Sequence, residues 1–219
     1  MGWVFEFFGS SVGKKMVMAV TGVILFGFVL GHMLGNLQVY QGPERLNAYA
    51  ALLKSTGNML WVVRFGLLAA VGLHAWAATS LTLTSWAARP QGYRVVGSRG
   101  STYASRTMRW GGPILALFIV YHLLHLTVGS AHPGFDHVDV YGNVVRGFSV
   151  WWVSAAYIVA MLALGLHLYH GVWSMFQTVG LNHPRYNPLI RTLATIFAIV
   201  VVVGNVSIPA AVLTGLVHL

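Results

Sequence analysis

Four histidines sit inside long apolar runs of the chain: His32, His74, His122 and His170. An ionisable side chain within a membrane span is costly and marks function by default, and a neutral imidazole is a ready ligand for iron through either ring nitrogen. Their depths form a pattern. His32 lies five residues before Leu37 and His122 seven before Gly129, which at about 1.5 Å per residue puts both roughly 8 to 10 Å from one membrane boundary. His74 lies twelve residues before Trp86 and His170 eight before Thr178, roughly 12 to 18 Å from the other boundary. Two imidazole pairs at two depths can each hold a haem iron from both sides, which fills its coordination sphere and favours electron transfer over oxygen binding. One histidine at a helix contact could simply hydrogen-bond across helices. Four in register point to two stacked haems b.

Two further histidines compete for these roles. His125 and His167 lie one turn outward of His122 and His170, on nearly the same helical faces. His125 falls close to the end of its segment and suits a haem propionate or a quinone, whereas His167 fits the second layer almost as well as His170. Propionates also need cations: Arg64 and Lys54 are placed for the outer haem, and Arg106, Arg109 and Arg185 for the inner one. Gly27, Gly31 and Gly35 around His32, Gly72 near His74, and Gly171 after His170 would let a flat macrocycle approach closely.

The elements that must position these residues are helices in a bilayer. The 219-residue chain is 57% hydrophobic and 8% charged, with a mean hydropathy of +0.70, well outside soluble composition. Spans of about 20 apolar residues are expected at Met16 to Leu37, Asn58 to Trp86, Trp110 to Gly129, Phe148 to Thr178 and Leu189 to Val217. The predicted fold is an all-α integral membrane protein, residues 1–219 forming one bundle of five transmembrane helices around the haems. Turn signals separate the spans: Gly42-Pro43, Arg89-Pro90, His132-Pro133-Gly134, and His183-Pro184 with Pro188. Between the first two spans, Leu46, Tyr49, Ala50 and Leu53 recur at helical spacing, predicting an interfacial helix over Glu44 to Ser55.

Charge sets the expected orientation. Lys14, Lys15, Arg89, Arg94, Arg99, Arg106, Arg109, Arg185 and Arg191 fall on one side, and Arg45, Lys54, Arg64 and Arg146 on the other. The positive-inside rule puts the N-terminus in the cytoplasm and the C-terminus outside. The net charge of +9 suits anionic lipid or an acidic docked protein, not nucleic acid. Lys14 and Lys15 resemble the basic region of a signal peptide, but no small-residue cleavage site follows and the run spans, so it is kept as a helix. Trp3, Phe5, Phe7 and Phe8 predict an aromatic segment at the inner interface. With no cysteine, disulfides, thiolate-held iron–sulfur clusters and c-type haem attachment are excluded within this chain.

The motifs carry a family likeness. Gly13-Lys14-Lys15 through Met18-Ala19-Val20-Thr21-Gly22, then Gly31-His32-Met33-Leu34-Gly35-Asn36-Leu37 and Leu46-Asn47-Ala48-Tyr49, resemble the cytochrome b558 membrane subunit of succinate dehydrogenase and fumarate reductase. So do Tyr121-His122-Leu123-Leu124 and the run from His167-Leu168-Tyr169-His170-Gly171-Val172-Trp173-Ser174 through Gln177-Thr178 to Asn182-His183-Pro184-Arg185-Tyr186. The resemblance implies a five-helix anchor in a prokaryotic inner membrane. It implies two haems b, with His32 and His122 ligating the distal one and His74 and His170 the proximal one. It implies docking on the cytoplasmic side to an iron–sulfur subunit, which in turn holds a flavoprotein with the dicarboxylate site. Electrons from succinate would pass through flavin, clusters and both haems to a quinone, by analogy menaquinone. Some fumarate reductases of this type carry a helix IV glutamate implicated in proton transfer; Leu168, two before His170, departs from that pattern and favours the oxidative direction.

The chain itself lacks succinate chemistry, since its only acids are Glu6, Glu44, Asp136 and Asp139, none deep in a span. Glu44, Asp136, Asp139, His132 and His137 are candidates to exchange protons with an outer quinone, and an inner site near His183, Arg185 or Trp110 is an alternative. A fumarate reductase anchor, a hydrogenase- or formate-dehydrogenase-type dihaem cytochrome, and a haem-free transporter are the competing readings.

Overall fold

The computed structural model describes residues 2–88, 91, 102–132 and 134–219. The expected inner-side arginines Arg89, Arg94 and Arg99 and the turn prolines Pro90 and Pro133 lie outside the described residues. Among those described, the elements are helical: α1 (Gly2–Gly9), α2 (Ser11–Asn36) running into a 3₁₀ turn (Leu37–Gln41), α3 (Pro43–Ser55), α4 (Asn58–Ala87), α5 (Tyr103–Leu123) ending in a π turn (Leu124–Val128), α6 (Val140–Ser149), α7 (Trp151–Thr178) and α8 (Asn187–Leu213). Five of them, α2, α4, α5, α7 and α8, are long and apolar enough to cross a membrane.

Local chemistry sets the boundaries. Ser10 caps α2 by accepting from the Gly13 N–H at 3.0 Å. Gly42, at φ +92°, turns the chain into α3, where Pro43 occupies the first turn. The third span begins at Tyr103 rather than near Trp110, because Thr102 accepts from the Ser105 N–H at 3.1 Å and caps a helix there. Arg106 and Arg109 therefore stand on its first turns. The fourth span begins at Trp151 rather than Phe148: Val150 is extended, and the ten residues before it form the separate helix α6, of which the expected span took in only Phe148 and Ser149. The aromatic N-terminal segment is the helix α1, with Trp3 and Phe5 largely exposed.

The spans pack as two pairs. α4 runs along α2, and α5 along α7, while α8 also lies along α7; α2 joins the halves where it meets α7 and α8. Small side chains permit these approaches. Ala77 and Ala194 are fully buried, and Gly204 lies under the Met33 side chain. Gly35 serves this purpose too, since an added Cβ would stand 2.6 Å from the Tyr49 hydroxyl. It seats α3 on α2. At Gly27, Gly31, Gly72 and Gly171 no atom of the described residues outside the local helix lies within 4 Å of such a Cβ.

The densest core closes one end of the bundle, where Val39, Leu46, Tyr141, Val145, Phe148, Val153, Tyr157 and Ile208 meet. A polar lattice holds α3, α6 and the 134–139 loop over it. Asp139 caps α6, accepting from the Gly142 N–H at 2.9 Å, from the Asn47 amide at 3.2 Å and from Arg146 at 3.4 Å. Asn47 in turn accepts from the Tyr141 N–H at 2.9 Å. Asn143 exchanges two bonds with the Asp136 backbone, at 2.9 and 2.6 Å, and the Asp136 carboxylate accepts from the Val138 and Asp139 N–H groups.

The Gly142 N–H chiefly, helped by Asn47 and Arg146, holds the Asp139 carboxyl below its usual range. A carboxyl lowered on folding stabilises fully above the unfolded value and loses that contribution as pH falls through the folded one. Asp139→Ala should therefore lower stability by about 1 kcal/mol near neutrality, the ordinary worth of an N-cap. In detergent melts the gap from wild type should narrow below about pH 4; a gap constant across that range would refute the assignment.

Candidate functional site

The histidines meet across the seam between the two helix pairs. His32 on α2 faces His122 on α5 with ring centroids 5.7 Å apart and planes at 89°. His74 on α4 faces His167 on α7 at 6.1 Å and 56°. His170, three residues further along α7, makes no such ring contact with His74 among the described residues. The two layers are well separated: Thr21, which touches His74, and His32 are eleven residues apart on α2, or about 16 Å along its axis.

In each layer one imidazole is oriented by a hydroxyl. The Thr21 hydroxyl donates to the Val17 carbonyl at 2.7 Å, so at its 3.0 Å contact with His74 Nδ1 it acts as acceptor. His74 then carries its proton on Nδ1 and leaves Nε2 with a lone pair, the tautomer a metal requires. In the other layer the Tyr157 hydroxyl lies 3.3 Å from His122 Nδ1 and 3.0 Å from His125 Nδ1. His167 Nδ1 is buried with no hydrogen-bond partner among the described residues. Two pairs of imidazoles facing across a seam, with two of their outer nitrogens already held, fit bis-histidine iron ligation.

Neither Thr21 nor Tyr157 is apparent from sequence as a site residue. Thr21 reads as an ordinary small polar residue in a membrane helix, and Tyr157 as an aromatic in an apolar run; only the packing of α2 on α4 and of α5 on α7 gives them partners.

Of the other candidates, Lys54, Arg64, Asp136 and His137 line one cavity of about 640 Å³, together with Trp61 and Phe135. Groups anticipated separately as propionate and quinone partners thus share a single site. Lys54 donates to the His137 carbonyl, and the Arg64 guanidinium stacks 4.9 Å over Trp61. Asp136 is poorly suited to accept protons there, because the Val138 N–H first, and then that of Asp139, holds its carboxyl below the usual range.

The remaining candidates lie elsewhere. Asp139 is committed to capping α6. Glu44 is exposed in the first turn of α3. His132 is buried, donating from Nε2 to the Asn143 carbonyl at 2.9 Å. His125 is 1% exposed and sandwiched between Tyr121 and His132 at 5.4 and 4.8 Å, so it does not reach the cavity.

At the opposite end a cavity of about 190 Å³ abuts His167, lined by Thr107, Met108, Trp110, Gly111 and Leu166 among others. Arg106, Arg109 and Arg185 do not line it. Arg109 rests over Trp86 and Arg185 over Tyr186, next to His183.

Residues 88–204, more than half of the chain, match the family model of the succinate dehydrogenase/fumarate reductase transmembrane subunit. No curated protein and no solved structure matches the chain. The match includes His122, His167 and Tyr157 and three of the five membrane-length helices in whole or large part. With all-helical architecture and a membrane-spanning composition, the chain belongs to the family of transmembrane subunits of succinate dehydrogenase and fumarate reductase.

Proposed function

We propose that this chain is a dihaem cytochrome b that carries electrons between the soluble subunits of its complex and a membrane quinone. The observation that carries the reading is the pair of facing histidine layers about 16 Å apart. Family membership sets aside the hydrogenase- and formate-dehydrogenase-type cytochromes. Haem, when bound, supplies the one-electron carrier, and the protein supplies ligands, orientation and a water-poor setting.

His32 and His122 would hold one iron. For the other, His74 pairs with His167 in place of His170, since His167 is the imidazole opposite His74. This moves the position two residues before the ligand from Leu168 to Gly165, which is equally unable to serve as a proton carrier. Arg64 and Lys54 would bind carboxylates at the α3–α6 end, and His137, on the same cavity, is the group suited to exchange protons with a quinone. The charge asymmetry supports placing this end outside a prokaryotic inner membrane, with an iron–sulfur subunit and flavoprotein docked on the cytoplasmic side. Succinate oxidation with menaquinone as acceptor is the direction the resemblance favours.

The test is haem stoichiometry by pyridine haemochrome, with reduced-minus-oxidised spectra, on the purified complex. Wild type should hold two haems b per chain; His32→Leu, His122→Leu, His74→Leu and His167→Leu should each lose one, and His170→Leu should keep both. Folded protein without haem would overturn the reading, and loss of a haem in His170→Leu but not in His167→Leu would return the ligand to His170. His137→Phe should keep both haems while slowing quinone turnover about 10²-fold, the lower end of general acid–base contributions; an unchanged rate would remove His137 from the quinone site.

A further inference from the structure

Tyr157 stands between two imidazoles and can satisfy them in only one consistent way. A phenol has one proton to give and lone pairs to accept with. If His122 ligates iron through Nε2, its Nδ1 carries a proton and must donate, so the Tyr157 oxygen, 3.3 Å away, accepts. The phenol proton is then free to go to His125 Nδ1 at 3.0 Å, which requires His125 to be protonated on Nε2. The three groups form a directed chain, His122 to Tyr157 to His125.

The chain is built into the fold. His125 is 1% exposed, held by its stacking between Tyr121 and His132. His132 is fixed by the Asn143 carbonyl. Gly147 lets α6 close over both rings, since a Cβ there would stand 2.8 Å from His125 and 3.0 Å from His132. Among the described residues, no side-chain acceptor other than Thr21 meets His74 Nδ1, so its bond ends in a hydroxyl already committed to the Val17 carbonyl.

We propose that Tyr157 and His125 are positioning residues that set the potential of the iron held by His32 and His122, distinguishing it from the iron of the other layer. This rests on the dihaem reading. A phenol that donates to His125 becomes a stronger acceptor, draws more on the His122 Nδ1 proton, and makes that imidazole a more basic ligand. A more basic ligand favours ferric iron and lowers the midpoint potential of that haem alone.

Redox titration of the purified full-length protein, followed in the visible spectrum and by low-temperature EPR, tests this. The haem concerned is identified as the one missing from His32→Leu. Tyr157→Phe, which removes only the hydroxyl, and His125→Leu should both raise its midpoint and leave the other haem unmoved. His125→Asn, whose amide oxygen can replace Nδ1 as acceptor, should return the potential towards wild type. Should Tyr157→Phe lose that haem, the His125→Leu and His125→Asn pair still decides, because neither touches a ligand. Two bound haems with unmoved potentials, or equal shifts in both, would overturn the proposal and leave the dihaem reading standing. Wild-type protein without haem would overturn that reading itself.

Discussion

Within a bilayer a polar group without a partner is stranded, because no water reaches it and the backbone of its own helix is fully engaged. This constraint governs the arrangement of the histidines. An imidazole has two nitrogens pointing in different directions, and a bundle of apolar helices offers few groups to meet them. At His74 and His122 one nitrogen is met by a hydroxyl from a neighbouring helix, so the other is directed by elimination towards the opposing ring. The hydroxyl is thus as much a part of the site as the imidazole.

The same constraint explains why the helices are grouped as they are. Each facing pair draws one histidine from α2 or α4 and one from α5 or α7. The pairs α2–α4 and α5–α7 pack closely within themselves, so the polar groups collect along the seam where they meet. Packing in lipid relies on small residues and surface fit more than on the hydrophobic effect. Ala77, Ala194 and Gly204 provide such fit, Gly204 where α8 meets Met33 of α2.

Much of this was legible in the sequence, and what was not has identifiable causes. Spans and depth follow from hydropathy and the helical rise, so five helices and two histidine layers could be placed without coordinates. The azimuth of a side chain is another matter. His167 and His170 differ by three residues, about 60° around α7 and 4.5 Å along it, and an all-round apolar helix gives no internal reference for choosing between them. Only the placed rings show which of the two faces His74, and that ring is His167. The helix α6 escaped notice because it is only ten residues long and abuts the fourth span, with Val150 between them merely becoming extended. The loop acids invited a chemical reading because acids are so rare in this chain. Asp139 is occupied as a cap and Asp136 by the backbone of its own loop, roles that depend on a helix the apolar pattern conceals.

The two ends of the bundle end up built on different principles. Towards the 179–186 loop the site is plain: His74 and Thr21 on one side, His167 and a small apolar cavity on the other. Towards α6 the layer of His32 and His122 is backed by Tyr157, then His125, then His132 and Asn143, and beyond them the 134–139 loop. Such depth of polar structure is expensive in an apolar bundle. On the dihaem reading proposed above it has a use, since two irons with the same bis-imidazole ligation would be distinguished only by the surroundings of their ligands.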